Sequence, residues 1–274
     1  MLASLISNLK NVVAVTRISG KITESTANDF SRQLKKIKLR APKMIAVQIN
    51  SHSGTFGQVQ SIVSLLDRTS RELDCPIYTF AEDFAVGPAY YVLCAGNKVF
   101  ADPHSMVGGI AVSTSTLGLQ DLASQTSIKP KILSSGKHKV RLDPFSKLNK
   151  QDEEWVKGVL HKRLEVFKNQ VLDKRGNKIP RSPELEQRVF SGESFSGKQA
   201  MELGLVDRFG EVHSLIQKEY SGFKTLDVSS SERSSAFDMQ ALSEALSLEQ
   251  ALETIEHAGA VNFANRLEFQ ELYY

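Results

Sequence analysis

Through the first hundred residues the apolar side chains switch back and forth between a strand pattern and a helical one, and few folds accommodate that alternation. Val12 to Ile18 (VVAVTRI) is rich in β-branched residues and closed by Gly20, which predicts a strand. Thr23 to Lys38 then places Ala27, Phe30, Leu34 and Ile37 at helical spacing. Met44 to Asn50 (MIAVQIN) is a short run without helical period, as expected of a strand buried on both faces. Gly54 and Gly57 follow it, and Ile62, Leu65, Leu66 and Leu73 mark a second helix. Pro76 to Phe80 reads as a third strand, Tyr90 to Ala95 as a short helix and Lys98 to Ala101 as a fourth strand. The order β-α-β-α-β-α-β requires a mostly parallel sheet with right-handed crossovers, flanked by helices: an α/β fold.

Further along, Asp152 to Asp173 predicts a long helix with Trp155, Val159, Leu160, Leu164, Phe167 and Val171 on one face. A helix of that length in an α/β domain often reaches a neighbouring element or subunit. Helical spacing returns from Lys198 to Leu203, and Gly204 closes it. After Val228 the character changes. Residues 1–228 are expected to form the α/β domain, 229–238 a Ser-rich linker, and 239–274 an amphipathic helix with an aromatic tail. In that last segment Leu242, Leu246, Leu248, Leu252 and Ile255 form the apolar side of Met239 to Ala258. Phe269, Leu272, Tyr273 and Tyr274 end the chain. Leu242, Leu246, Leu252, Ile255, Phe269, Tyr273 and Tyr274 are therefore the expected partner-binding residues, docking on a protein partner or on their own domain.

Charge and cysteine content narrow the function classes. Thirty-four basic and 31 acidic side chains give a net charge of +3, too even for a nucleic-acid binder. The two cysteines, Cys75 and Cys94, lack the spacing of a disulfide framework and fit semi-buried thiols in a reducing compartment. No run reaches the roughly 18 apolar residues of a bilayer-spanning helix, so no transmembrane segment is expected, while peripheral association with a membrane complex stays open. The start of the chain has no acid before Glu24 and carries Lys10, Arg17 and Lys21, a composition faintly like a mitochondrial presequence. The competing reading takes Asn11 to Ile18 as the first strand and leaves only a short leader. Metal-ligand spacing, GxGxxG and Walker-type loops are absent from the sequence, so neither metal nor cofactor is expected.

Three blocks carry a more specific message. QINSHSGTFGQVQSI follows the second strand, AEDFAVGPAYYVLCAGNKVFADPHSMVGGIAV spans the third strand and beyond, and VFSGESFSGKQAMELGLVDRFGEV lies near the end of the domain. In order and spacing they resemble the D-S-P-G-G segment, the A-A-S-G-G-Y-Y nucleophile block with V-G-S-I-G, and the closing G-x-x-x-x-G-x-x-A-x-x-x-G-L-V-D signature of the signal peptide peptidase A and SohB-type peptidases. The resemblance runs from Val12 to Ile216 and implies the ClpP/crotonase fold, with relatives assembled as rings or stacked oligomers.

It also implies site residues. Such peptidases activate a serine hydroxyl with a lysine amine and hold the oxyanion on backbone N–H groups. Matching Ala85 and Tyr90-Tyr91 to the nucleophile block puts the serine position on Gly87, which has no hydroxyl. The following Gly-Gly reads Pro88-Ala89, and proline has no amide hydrogen. ILSSGKHKVRLDPF resembles the family's lysine loop and puts the base position on Lys139, within a basic cluster that otherwise reads as solvated. The oxyanion loop falls on Ser53 and Gly54, where D-S-P-G-G reads Asn50-Ser51-His52-Ser53-Gly54. Ser51, Ser53, Ser105 and Cys94 are candidate replacement nucleophiles, with His52 or Lys139 as base.

Three functions follow. One is a catalytically inactive homologue working as a scaffold or assembly subunit, with protein or peptide partners. Another is an active endopeptidase with a displaced nucleophile, degrading membrane-derived or unfolded peptides. The third, a crotonase-type acyl-CoA enzyme, fits the blocks less well.

Overall fold

The computed structural model describes residues 11–126, 131–136 and 138–229, and these fall into two compact units. One unit runs to Ser113 and resumes at Val159; the other is built on Thr114–Gly158. The leader, the Ser-rich linker and the amphipathic and aromatic segments lie outside the described residues.

The first unit holds a single mixed sheet. Its strands are β1 (Val12–Ser19), β2 (Met44–Ser51), β3 (Ile77–Val86), β4 (Lys98–Ala101), β5 (Met106–Gly108), β6 (Ser194–Ser196), β7 (Arg208–Phe209) and β8 (Lys224–Asp227). The order is β6-β5-β3-β2-β1-β8, with β4 pairing β3 and β7 off this path. Every pairing is parallel except β5 with β6. Ile45 sits opposite Ile77 and Val13 opposite Met44.

Alternation along β1 and β2 feeds two cores, one on each face of the sheet. Ala14, Ile18, Ile45 and Val47 join Phe30, Leu34, Ile62 and Leu66 from the helices Glu24–Lys38 and Phe56–Leu73. Val13, Val15, Met44 and Ala46 meet Phe80, Phe100, Val212 and Ile216 on the other face. Each of the larger of these side chains contributes roughly 1.5–3 kcal/mol by leaving water. Among the described residues no helix is long and apolar enough to cross a membrane.

Two elements differ from expectation. The third strand does not stop at Phe80 but runs ten residues to Val86. The charged pair Glu82-Asp83 hides this continuation, and both carboxylates find partners on the sheet. Glu82 holds Arg17 at 2.6 Å, and Asp83 accepts a hydrogen bond from Asn50 at 2.8 Å. After an irregularity at Ile49–Ser51, β3 leaves β4 and pairs instead with β5. The long helix covers Lys150–Arg175, but of the face expected to be apolar only Phe167 and Val171 are fully buried. Trp155 remains half-exposed, with the Arg141 guanidinium 4.5 Å from its ring centre.

The far end of this helix carries a fully buried charge. Arg175 donates to the Gly204 carbonyl at 2.6 and 3.1 Å and to Asp207 at 3.0 Å. Asp207 also accepts from Lys178 at 2.7 Å and from the Val99 N–H at 2.9 Å. Burial alone would raise the Asp207 carboxyl, but the bonds from Arg175, Lys178 and Val99 outweigh it and hold it below its ordinary range. A depressed carboxyl contributes stability that is present above its unfolded pKa and lost as pH falls through the folded one. Denaturant midpoints of the wild type should therefore drop as pH falls below about 4, and Asp207→Asn should flatten that fall. Asp207→Ala, which strands the buried guanidinium, should lower stability at neutral pH by about 3–5 kcal/mol.

Candidate functional site

Ligand sites in parallel sheets form beyond the carboxyl ends of the strands, where the loops leave the sheet. Here β3 ends at Val86, Gly87 makes the turn, and the helix Pro88–Leu93 begins at once with Pro88 in its first turn. Gly87 has φ +61° and ψ −129°, a conformation that L-residues rarely adopt. Its N–H donates to the Gly108 carbonyl at 2.8 Å, and its carbonyl accepts from Tyr90 at 3.0 Å. A sharp, strained strand-to-helix turn of this kind is how a nucleophile elbow presents its side chain. The space for one exists: a Cβ on Gly87 would meet only the Gly109 carbonyl oxygen, at 3.8 Å.

Register places the loop after β2 beside this turn, because Ser51 pairs with Ala85. The loop is tied down by Ile22, whose N–H donates to Ser53 O at 3.0 Å and whose carbonyl accepts from Thr55 at 3.0 Å. Gly54 bridges Ile22 so closely that a Cβ there would lie 2.7 Å from the Ile22 Cβ, so this glycine is demanded by packing. Among the described residues the N–H groups of Ser53 and Gly54 meet no protein acceptor, which leaves two donors at the position expected for an oxyanion. The third donor that such a turn commonly offers, the amide after the nucleophile, is missing at Pro88.

The candidate replacement nucleophiles separate clearly. The Ser51 hydroxyl is buried and donates to Ser53 O at 3.0 Å. Ser105, also buried, accepts from the Asp102 N–H at 3.0 Å and donates to Ala81 O at 3.3 Å. Cys94 faces the core, 3.3 Å from Tyr91 O, and burial pushes its thiol up to about 12. Ser53 alone keeps a half-exposed hydroxyl, 3.4 Å from Nδ1 of the exposed His52.

Lys139 belongs to the second unit. It is exposed on a loop, its N–H donating to Gly136 O at 3.1 Å. Arg141 holds that loop against the start of the long helix, with Nε 3.3 Å from Asp152 and the guanidinium over Trp155. The expected partner-binding residues, Leu242, Leu246, Leu252, Ile255, Phe269, Tyr273 and Tyr274, lie outside the described residues.

One feature of the first unit has no sequence signal. A groove of about 560 Å³ runs along the second half of β3, between Phe80, Glu82, Phe84, Asp102 and His104. It exists only because β3 continues past Phe80. Among the described residues no cluster of His, Cys, Asp and Glu could hold a metal ion.

The model of Peptidase family S49 matches residues 69–224, a span that contains the Gly87 turn, the Lys139 loop and the segment ending in Asp207. The chain belongs to this family. Family S49 is a family of serine-type peptidases. The putative signal peptide peptidase SppA of Enterococcus faecium is 27% identical over 206 residues, covering 74% of this chain and 58% of its own length. A protein named Na(+)/H(+) antiporter NhaA in Brucella abortus is 31% identical over 176 residues, 64% of this chain but 23% of that protein. The chain thus spans about a quarter to three-fifths of these relatives. Two solved structures of the 1510-N membrane-bound stomatin-specific protease share the fold at 13% identity. Its serine-to-alanine mutant gives a TM-score of 0.52 over 81% of this chain and 99% of the other. Its lysine-to-alanine mutant, in complex with a substrate peptide, gives 0.55 over 83% and 96%.

Within the S49 frame the two glycines of the site have different jobs, and substitution separates them. Gly87→Ala should fold and lose about 1–3 kcal/mol through backbone strain alone. Gly54→Ala should lose a similar amount, about 1–3 kcal/mol, through overpacking against Ile22. Amide exchange distinguishes the two: Ile22 and Thr55 should exchange faster in Gly54→Ala and at the wild-type rate in Gly87→Ala.

Proposed function

We propose that this chain is an S49 family member that does not cleave peptides and serves as a scaffold or subunit of a larger protein assembly. One observation carries the reading. The turn that would present a nucleophile has the positive-φ backbone and the open space for a side chain, yet the residue there is glycine. Pro88 supports it by removing an oxyanion donor. Peptide binding without cleavage has a counterpart in the fold, since a lysine mutant of the stomatin-specific protease is in complex with a substrate peptide. Selection on such a chain acts through binding, and the aromatic end Phe269, Tyr273 and Tyr274 offers a contact for a protein partner.

A second reading has one observation in its favour. Ser53 and His52 form the pair left in the loop after β2, 3.4 Å apart, and this would be the displaced nucleophile of an active endopeptidase. Among the described residues no third group orients His52.

A serine-directed fluorophosphonate probe decides between them. Full-length protein should remain unlabelled and should release no product from unfolded peptide substrates. Labelling at Ser53 that competing peptide blocks, and that Ser53→Ala abolishes, would establish the second reading instead. The assembly role is checked by sedimentation of the full-length protein. It should run larger than a single chain, and a monodisperse monomer in native extract would refute a subunit role.

A further inference from the structure

Exposed apolar side chains are concentrated in one short stretch of the chain. Of the eleven large apolar residues that stand out in solvent among the described residues, six lie within Thr114–Gly158: Leu117, Leu122, Ile132, Leu133, Leu148 and Trp155. Leu117 is 73% exposed and Leu133 is 84% exposed, far beyond what an isolated surface leucine requires. The same stretch is strongly basic. Residues 131–150 hold six lysines and arginines against one acid, Asp143. Lys131, Lys139, Lys147 and Lys150 are all exposed, and none of the four forms an ion pair among the described residues.

The complement of that surface lies further along the same chain. Residues 230–274 carry eight acidic side chains and two basic ones. Within them, Met239 to Ala258 has four glutamates (Glu244, Glu249, Glu253, Glu256), neither lysine nor arginine, and the apolar set that includes Leu246, Leu252 and Ile255. An apolar, basic stretch of the chain is thus followed by an apolar, acidic one. We propose that residues 239–258 dock on their own chain against the exposed apolar side chains Leu117, Leu122, Leu133 and Trp155 and the lysines beside them in sequence, covering Trp155 and Lys139 and leaving the aromatic end for a partner. The same chain is favoured over a second copy by tethering. The ten residues 229–238 reach roughly 33 Å when extended, and a tether of that length gives a local concentration in the mM range, well above that of free chains. Burial of the apolar set drives the contact, while the charges fix which surface is chosen. The proposal does not depend on whether the site cleaves peptides.

Trp155 is the chain's one tryptophan and is therefore a native reporter. In the full-length protein its emission should be blue-shifted and resistant to acrylamide. The full-length variant Leu246→Ser/Leu252→Ser/Ile255→Ser should be severalfold more quenchable, with unchanged far-ultraviolet circular dichroism. Equal quenching in the two proteins would overturn the proposal. So would a difference that vanishes on dilution, because an intrachain contact does not respond to concentration. Should the variant misfold, carbodiimide coupling of the wild type supplies the decision. Cross-links from Lys131, Lys139, Lys147 or Lys150 to Glu244, Glu249, Glu253 or Glu256 should form within single chains in an isotope-mixing experiment. Their absence, or their formation only between chains, would rule the contact out.

Discussion

Arg175 is the side chain on which the arrangement of the first unit depends. A guanidinium taken out of water is costly unless its donors are used, and here Nε and Nη2 go to the Gly204 carbonyl and Nη1 to Asp207. Each acceptor belongs to the segment that ends the family signature. Asp207 passes the constraint on, because its other bonds fix the start of β4 at Val99 and anchor Lys178. β4 in turn pairs with the first half of β3, from Tyr78 to Ala81. The buried Tyr90, in the helix after Gly87, donates to Leu205 O at 3.1 Å, and burial raises its phenol well above the ordinary range. One charge buried at the end of a long helix therefore holds both flanks of the turn that defines the site. A Met in its place would fill the volume and lose the connection.

The turn itself shows why geometry and chemistry are separable. Its backbone conformation is fixed by neighbours: Gly108 takes the Gly87 N–H, and Pro88 commits the chain to a helix. Those constraints act whatever side chain is present. A serine there would carry the strain of a left-handed backbone, roughly 1–3 kcal/mol, in exchange for a well-aimed hydroxyl. Glycine carries no such strain. On the proposed reading, the fold gains stability at the very position where a nucleophile would lose it, so nothing in the stability of the sheet selects for a hydroxyl.

How much of this was legible depended on how local the cause is. Val12 to Ile18, Met44 to Asn50 and the helix from Thr23 declare themselves because burial imposes a period on consecutive residues. The short strands β5 to β8 have two to four residues and exist through pairings with distant segments, such as Lys224 with Val12, so no window of sequence contains their cause. Glu82 and Asp83 misled in the opposite direction. A charged pair ordinarily ends a buried strand, but here the sheet supplies Arg17 and Asn50 as partners. Gly87 and Lys139 could be singled out only through motif resemblance, since a glycine before a proline and a lysine in a basic loop have no distinctive pattern of their own. Whether Ser51 and Ser105 were available was invisible, because the carbonyls and amides that engage them are set by tertiary structure.

The same distinction bears on what the surface of the second unit means. A core leucine is explained by its neighbours, and Leu133 and Leu117 have too few. Water tolerates single exposed leucines, but six large exposed apolar groups in one stretch that also holds four lysines without ion pairs among the described residues carry a cost in apolar area left in water. An acidic, leucine-rich segment would cover that area and pair those lysines, where a neutral apolar partner would do only the first and a polar acidic one only the second. The chain carries such a segment after the Ser-rich stretch 229–238.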